Sequence, residues 1–213
     1  MIKYFYLPFF LFTLLGASQV NLTPTLSSIS VKVNGERIRI SRMQDTNHKL
    51  RNEYSLTSRV SPPFEIQPYT VIEGITTISE LDVFKFIQYT LKKGGLLIDA
   101  RLSNWFYQST IPSAINIPFN TLDKSNAPKT LEKFAVTYNG KEFNFSKAKK
   151  IIVFDNGPWC PQSSKAIHAL VALGYPKDKI LYYRGGMQYW SILGLIYAYP
   201  TEETDNKGNI NVQ

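Results

Sequence analysis

The chain holds a single cysteine, Cys160, and its surroundings read as chemistry rather than packing. The apolar run Ile151-Ile152-Val153-Phe154 ends at Asp155. Asn156-Gly157-Pro158-Trp159-Cys160-Pro161-Gln162-Ser163-Ser164-Lys165 follows. Ala166 to Leu173 then has the spacing of an amphipathic helix closed by Gly174. Cys160 is therefore expected in a loop between the carboxyl end of a buried strand and a helix amino terminus, the edge at which open α/β sheets bind ligands. Unpaired amides and the positive end of the helix dipole gather there, and both stabilise an anion. This placement predicts a lowered thiol pKa and a nucleophilic thiolate. Ser163 and Ser164 would cap or donate, and Lys165 would add a positive charge. The opposing reading is a small buried hydrophobe, since free cysteine is among the most buried residue types. The polar neighbours Gln162, Ser163 and Ser164 weigh against it.

Other candidates are weaker. Asp99 and Arg101 end the run Leu96-Leu97-Ile98, and Arg184 precedes Gly185-Gly186. Each sits where a strand end would meet a pocket or only water. Trp159 could wall the thiol, while Trp105 and Trp190 read as packing. His48 lies in a polar stretch, and His168 falls on the solvent side of its helix. Two distant histidines and one cysteine do not make a zinc site, and no cofactor is expected.

The elements that must position Cys160 follow from periodicity. Leu96–Ala100, Ile151–Phe154 and Ile180–Tyr183 are short apolar runs expected as buried parallel strands. Helical spacing follows Ser79 as far as Gly94, and recurs near 103–109, 128–136, 163–173 and 186–193. Alternation of the two predicts an α/β fold with a mainly parallel sheet. Upstream, Val31, Val33, Ile38 and Ile40 alternate around Asn34-Gly35, a hairpin signal. Residues 41–60 are polar and give no element, and Pro62, Pro63 and Pro68 mark an extended connector.

The 213 residues fit one domain with extensions, and 44% hydrophobic residues exclude collagenous and wholly disordered classes. Lys3, the apolar run Tyr4–Leu15 and Gly16-Ala17-Ser18 read as a secretory signal peptide over 1–18, too short for a membrane span. Export to a periplasm or outside the cell follows, with no stable membrane insertion after cleavage. An odd cysteine in an oxidising compartment points to a reactive thiol or an intermolecular bond. The formal charge of +8 has no reader motif attached, so nucleic acid is not an expected partner.

At this point the residues resemble a family. Leu97-Ile98-Asp99-Ala100-Arg101 and Thr110-Ile111-Pro112-Ser113-Ala114-Ile115-Asn116-Ile117-Pro118 resemble the front half of a rhodanese domain. The Cys160 loop, Leu173-Gly174-Tyr175 and Tyr183-Arg184-Gly185-Gly186-Met187-Gln188-Tyr189-Trp190 resemble its back half. The resemblance implies a parallel sheet with helices on both faces over 76–200. A β-rich extension over 19–75 would precede it and a polar tail over 201–213 would follow. It also implies sulfur transfer. Cys160 would take a sulfane sulfur from thiosulfate or a persulfide donor and pass it to an acceptor, small or protein. Trp159, Pro161, Gln162, Ser163, Ser164 and Lys165 would form the substrate cradle, with Asp99, Arg101 and Arg184 bracing it. Pro161 removes one amide donor, and Lys165 replaces the family's frequent arginine. These departures motivate an alternative, a catalytically weak module that binds a partner protein or a small anion.

Overall fold

The computed structural model describes residues 19–33 and 35–200, and the backbone of 210–212. The expected signal segment lies outside the described residues. Five parallel strands form the central sheet in the order β3 (Thr76–Thr77), β9 (Ile180–Tyr183), β8 (Ile151–Phe154), β4 (Leu96–Asp99), β5 (Ala114–Asn116). All four residues of β8 are buried, as expected of a strand covered on both faces.

Side chains alternate across the sheet with a period of two. Leu97, Ile152, Phe154 and Tyr183 face one core. Ile98, Ile151, Val153, Ile180 and Tyr182 face the other. Helices α3 (Ala127–Glu132) and α4 (Gln162–Ala172) contribute Leu131, Ala166, Ile167 and Leu170 to the second core. Helices α1 (Glu80–Lys85) and α5 (Gly186–Ile192) contribute Val83, Phe84, Met187 and Trp190 to the first. The short α2 (Ser103–Gln108) follows β4.

The amino-terminal hairpin, β1 (Ser28–Val33) and β2 (Glu36–Ser41), pairs with Val33 opposite Glu36. That register leaves a two-residue connection, and Gly35 takes the positive φ of 89° that such turns demand. Its inward face, Ile29, Val31, Val33, Ile38 and Ile40, packs into the first core beside Leu97 and Trp190. Fully burying a side chain such as Ile40 contributes on the order of 1.5–3 kcal/mol. The hairpin therefore shares the hydrophobic core of the sheet.

Some elements differ from the periodicity. The helix expected up to Gly94 changes pitch: α1 gives way to a π turn over Phe86–Thr90 and a 3-10 turn over Leu91–Lys93. α3 stops at Glu132, short of the expected 136, because Phe134 turns into the core and Ala135 takes a positive φ of 59°. Two small antiparallel pairs carry no clear sequence signal: β6 (Thr137–Tyr138) with β7 (Phe143–Asn144), and β10 (Ala198–Pro200) with β11 (Ile210–Val212). Among the described residues, no helix is long and apolar enough to cross a membrane.

Candidate functional site

Cys160 lies in the loop between β8 and α4, as the apolar run and the helical spacing require. Its side chain is fully buried. The Asn156 carboxamide approaches the sulfur, with Nδ2 3.8 Å from Sγ. The Gln162 and Asn156 amides also hydrogen-bond it.

The expected acidic thiol is not found. Burial pushes the Cys160 thiol well above its ordinary value, and the neighbouring Asp155 carboxylate pushes it further. The physical reason is visible at the start of α4. Asp155, fully buried, takes the donors that the thiolate was expected to use. Its Oδ2 accepts from the Ser163 amide at 2.8 Å and from Ser163 Oγ at 2.7 Å, and its Oδ1 accepts from the Gly157 amide at 2.9 Å. The Lys165 amide donates to the Pro161 carbonyl and the Cys160 amide to the Gly157 carbonyl, both at 2.9 Å. Of the expected cradle over 161–165, the Gln162 amide meets the sulfur. Pro161 supplies no donor.

Asp99 and Arg101 form a buried ion pair, with Arg101 Nη2 2.7 Å from Asp99 Oδ2 and Nε 2.9 Å from Oδ1. Thr110 Oγ1 donates to the same carboxylate at 2.7 Å. Arg101 Nη1 reaches on to Asn156 Oδ1 at 3.2 Å and to the Tyr54 hydroxyl at 2.9 Å. That hydroxyl donates to Asn156 Oδ1 at 2.9 Å. One bonded chain thus runs from Asp99 through Arg101 to Asn156 and the sulfur.

Arg184 is engaged with the connector: its Nε and Nη2 donate to the Gln67 carbonyl. Lys165 is exposed, its ammonium 5.6 Å from the Phe119 ring centre. His168 is exposed, with Nδ1 2.8 Å from the Ser164 carbonyl. Ser164 is half-buried. Trp159 is covered rather than open: Phe64 meets its ring edge-on at 5.2 Å and the Arg59 guanidinium lies 3.6 Å from its centre. The Glu65 and Gln67 amides donate to the Trp159 and Pro158 carbonyls at 3.1 and 2.8 Å. Residues 53–67 therefore strap the cysteine loop. A groove of about 480 Å³ between residues 42–50 and the end of α5 shares no lining residue with that loop.

The residues that sequence reasoning missed are Asp155, Asn156 and Tyr54. Asp155 ends a buried strand at the ligand edge, a usable signal. Tyr54 sits in a polar stretch without periodicity and gives none.

The carboxylate also makes stability depend on pH. Burial raises the Asp155 carboxyl to about 6, against the hydrogen bonds from Ser163, Gly157 and Cys160. An acid whose pKa is raised by folding stabilises the fold through its protonated form. That contribution is complete below the unfolded value of about 4 and is lost as pH rises through about 6. Thermal melts should show about 2–3 kcal/mol less stability at about pH 7.5 than at about pH 4. Asp155→Asn should flatten that step, and an unchanged step in the variant would contradict the assignment.

A rhodanese-like domain model matches residues 87–193, half of the sequence, and the chain belongs to that family. Among solved structures, the BH2092 protein of Bacillus halodurans is 24% identical, with 64% of this chain and 75% of that one covered and a TM-score of 0.38. The As-Sb reductase of Leishmania major is 15% identical, covering 65% and 92%, with a TM-score of 0.43. The 3-mercaptopyruvate sulfotransferase SseA of Escherichia coli is 24% identical, covering 51% and 39%, with a TM-score of 0.33. No curated protein matches the sequence. The matched region leaves out Tyr54, Arg59 and Phe64, which nonetheless close over the cysteine loop.

Proposed function

We propose that the protein is an exported sulfurtransferase that carries sulfane sulfur as a persulfide on Cys160. The observation that carries this reading is the set of donors aimed at one buried sulfur: the Gln162 amide and the Asn156 amide and carboxamide. In the first half-reaction the sulfur attacks the outer sulfur of the donor while its proton passes to Asp155, the neighbouring carboxylate. A new S–S bond forms, the donor's bond to that sulfur breaks, and the electron pair leaves with the remainder of the donor. A nucleophilic acceptor later removes the outer sulfur and regenerates the thiol. Covalent storage splits one difficult transfer into two easier ones. Cys160 is fully buried and residues 53–67 pack on its loop, so in this reading the strap parts from Trp159 to admit a donor. Export rests on the Lys3, Tyr4–Leu15 and Gly16-Ala17-Ser18 pattern.

The experiment is mass spectrometry of the full-length protein after exposure to thiosulfate or to an alkyl persulfide. Wild type should gain the mass of one sulfur atom on Cys160, and Cys160→Ser should gain none. A loaded Cys160→Ser variant, or a wild type left unloaded by both donors, would overturn the reading. The sealed, weakly acidic thiol favours a second reading, a rhodanese-fold module that binds a partner or anion without turnover. That module would remain unloaded with every donor.

A further inference from the structure

Asp155 takes donors at the start of α4 that the expected substrate cradle would have offered to an anion. Its carboxylate accepts three hydrogen bonds, from the amides of Gly157 and Ser163 and the hydroxyl of Ser163. It is wholly buried and hydrogen-bonded to the Cys160 thiol. We propose that Asp155 selects the sulfur donor of Cys160. It excludes oxyanion donors such as thiosulfate and favours persulfides of the R–S–SH class, whose leaving group is a thiolate. This rests on the sulfurtransferase reading above and specifies its substrate.

Two physical arguments support the selection. The first is charge. A dianion approaching Cys160 meets the negative charge that Asp155 and Cys160 share whichever of them holds the proton, and like charges at short range in a buried site repel strongly. The nearby cations are tied to other partners and are not free to turn toward an incoming anion. Arg101 is bound to Asp99, Tyr54, Asn156 and the Ser109 carbonyl. Arg184 is bound to the Gln67 carbonyl. Arg59 lies flat on Trp159, with Nη2 on the Glu53 carbonyl. Lys165 is exposed beside Phe119. Tyr182 adds no positive charge beside the carboxylate.

The second argument is the proton. Sulfite leaves thiosulfate without needing one, whereas a thiolate is a better leaving group when protonated as it departs. Asp155 can supply that proton, because it has just taken one from Cys160. The Cys160 sulfur attacks the outer sulfur of R–S–SH, the donor's S–S bond breaks, and its electron pair leaves on R–S⁻. That group takes the proton from Asp155 and departs as R–SH. The balance is Cys–SH plus R–S–SH giving Cys–S–SH plus R–SH, with no external oxidant or reductant. A carboxyl raised toward neutrality suits such a shuttle, since general acids work best with a pKa near the working pH.

The test uses the full-length protein, sodium thiosulfate (a dianion), and benzyl persulfide (at most a monoanion) released in situ, with Cys160→Ser as the blank. Loading of Cys160 is followed by mass spectrometry. Wild type should load from the persulfide at least about tenfold faster than from thiosulfate, and Asp155→Asn should shrink that ratio by about tenfold, the scale of a one-unit electrostatic effect. Ser163→Ala removes a donor but not the charge, so it should keep the preference. Equal or faster loading from thiosulfate overturns the inference while leaving the sulfurtransferase reading intact. So does an unchanged ratio in Asp155→Asn or a lost one in Ser163→Ala. No loading from either donor overturns the sulfurtransferase reading, and this inference with it.

Discussion

Arg101→Met is expected to destabilise the protein by about 3–5 kcal/mol, the usual cost of removing one partner from a buried ion pair. The guanidinium is fully buried and makes two bonds from Nε and one from Nη2 to Asp99. Without it, the Asp99 carboxylate keeps only the Thr110 hydroxyl and the Arg101 main-chain amide as partners. Asn156 and Tyr54 lose their shared donor at the same time. For a chain of this size the melting temperature should fall by roughly 10 °C or more. Thermal or urea unfolding reads the effect directly. Adding Asp99→Leu should restore part of the loss, because two matched apolar residues often replace a buried pair at little cost. A single variant within about 1 kcal/mol of wild type would show that the pair is hydrated and not structural.

Gly186→Ala should be the most disruptive single-methyl change near the site. Gly186 has a φ of +52°, and a Cβ there would lie 2.3 Å from the Asp155 carbonyl oxygen and 2.8 Å from the Gly157 nitrogen. Both are backbone atoms that cannot rotate aside. They also belong to the segment that α5 grips, where the Met187 and Gln188 amides donate to the Asp155 and Asn156 carbonyls at 2.9 Å. The methyl group must therefore push the cysteine loop off α5 or unwind the first turn of that helix. The expected loss is about 3 kcal/mol or more, backbone strain and broken bonds together. Gly140→Ala is the control. Its φ is +92°, yet a Cβ there meets nothing within 4 Å. It should cost only the left-handed penalty of about 1–2 kcal/mol. Equal losses in the two variants would mean that the clash is relieved elsewhere.

The strap changes how the extension is understood. Residues 41–60 show no periodicity and read as filler. Tyr54 nevertheless enters the site, and its main-chain carbonyl accepts from Gln188 Nε2 at 2.6 Å. Its anchor is Asn52, whose side chain accepts from the Tyr54 amide at 3.1 Å. Such a contact joins positions 102 residues apart, between Tyr54 and Asn156. Local spacing carries no record of it. The hairpin is the opposite case. Asn34-Gly35 and the flanking alternation specify both the turn and the buried face, because side-chain period and turn chemistry are local properties.

The same division holds at the thiol. Sequence by itself determined that Cys160 lies between β8 and α4, at the ligand edge of a parallel sheet. An apolar run followed by a 3.6-residue period forces that order of elements. It also determined the rhodanese resemblance, through short segments in the right succession. Tertiary structure alone decided the ionisation of the sulfur. A helix amino terminus favours an anion, but which anion it holds depends on what else reaches it. Asp155 arrives first, through the turn at Gly157, and takes the Ser163 amide and hydroxyl. The loop then buries Cys160 fully, and desolvation keeps the proton on the sulfur. Charge and burial depend on distances across the fold, so composition and spacing could name the nucleophile but not its state.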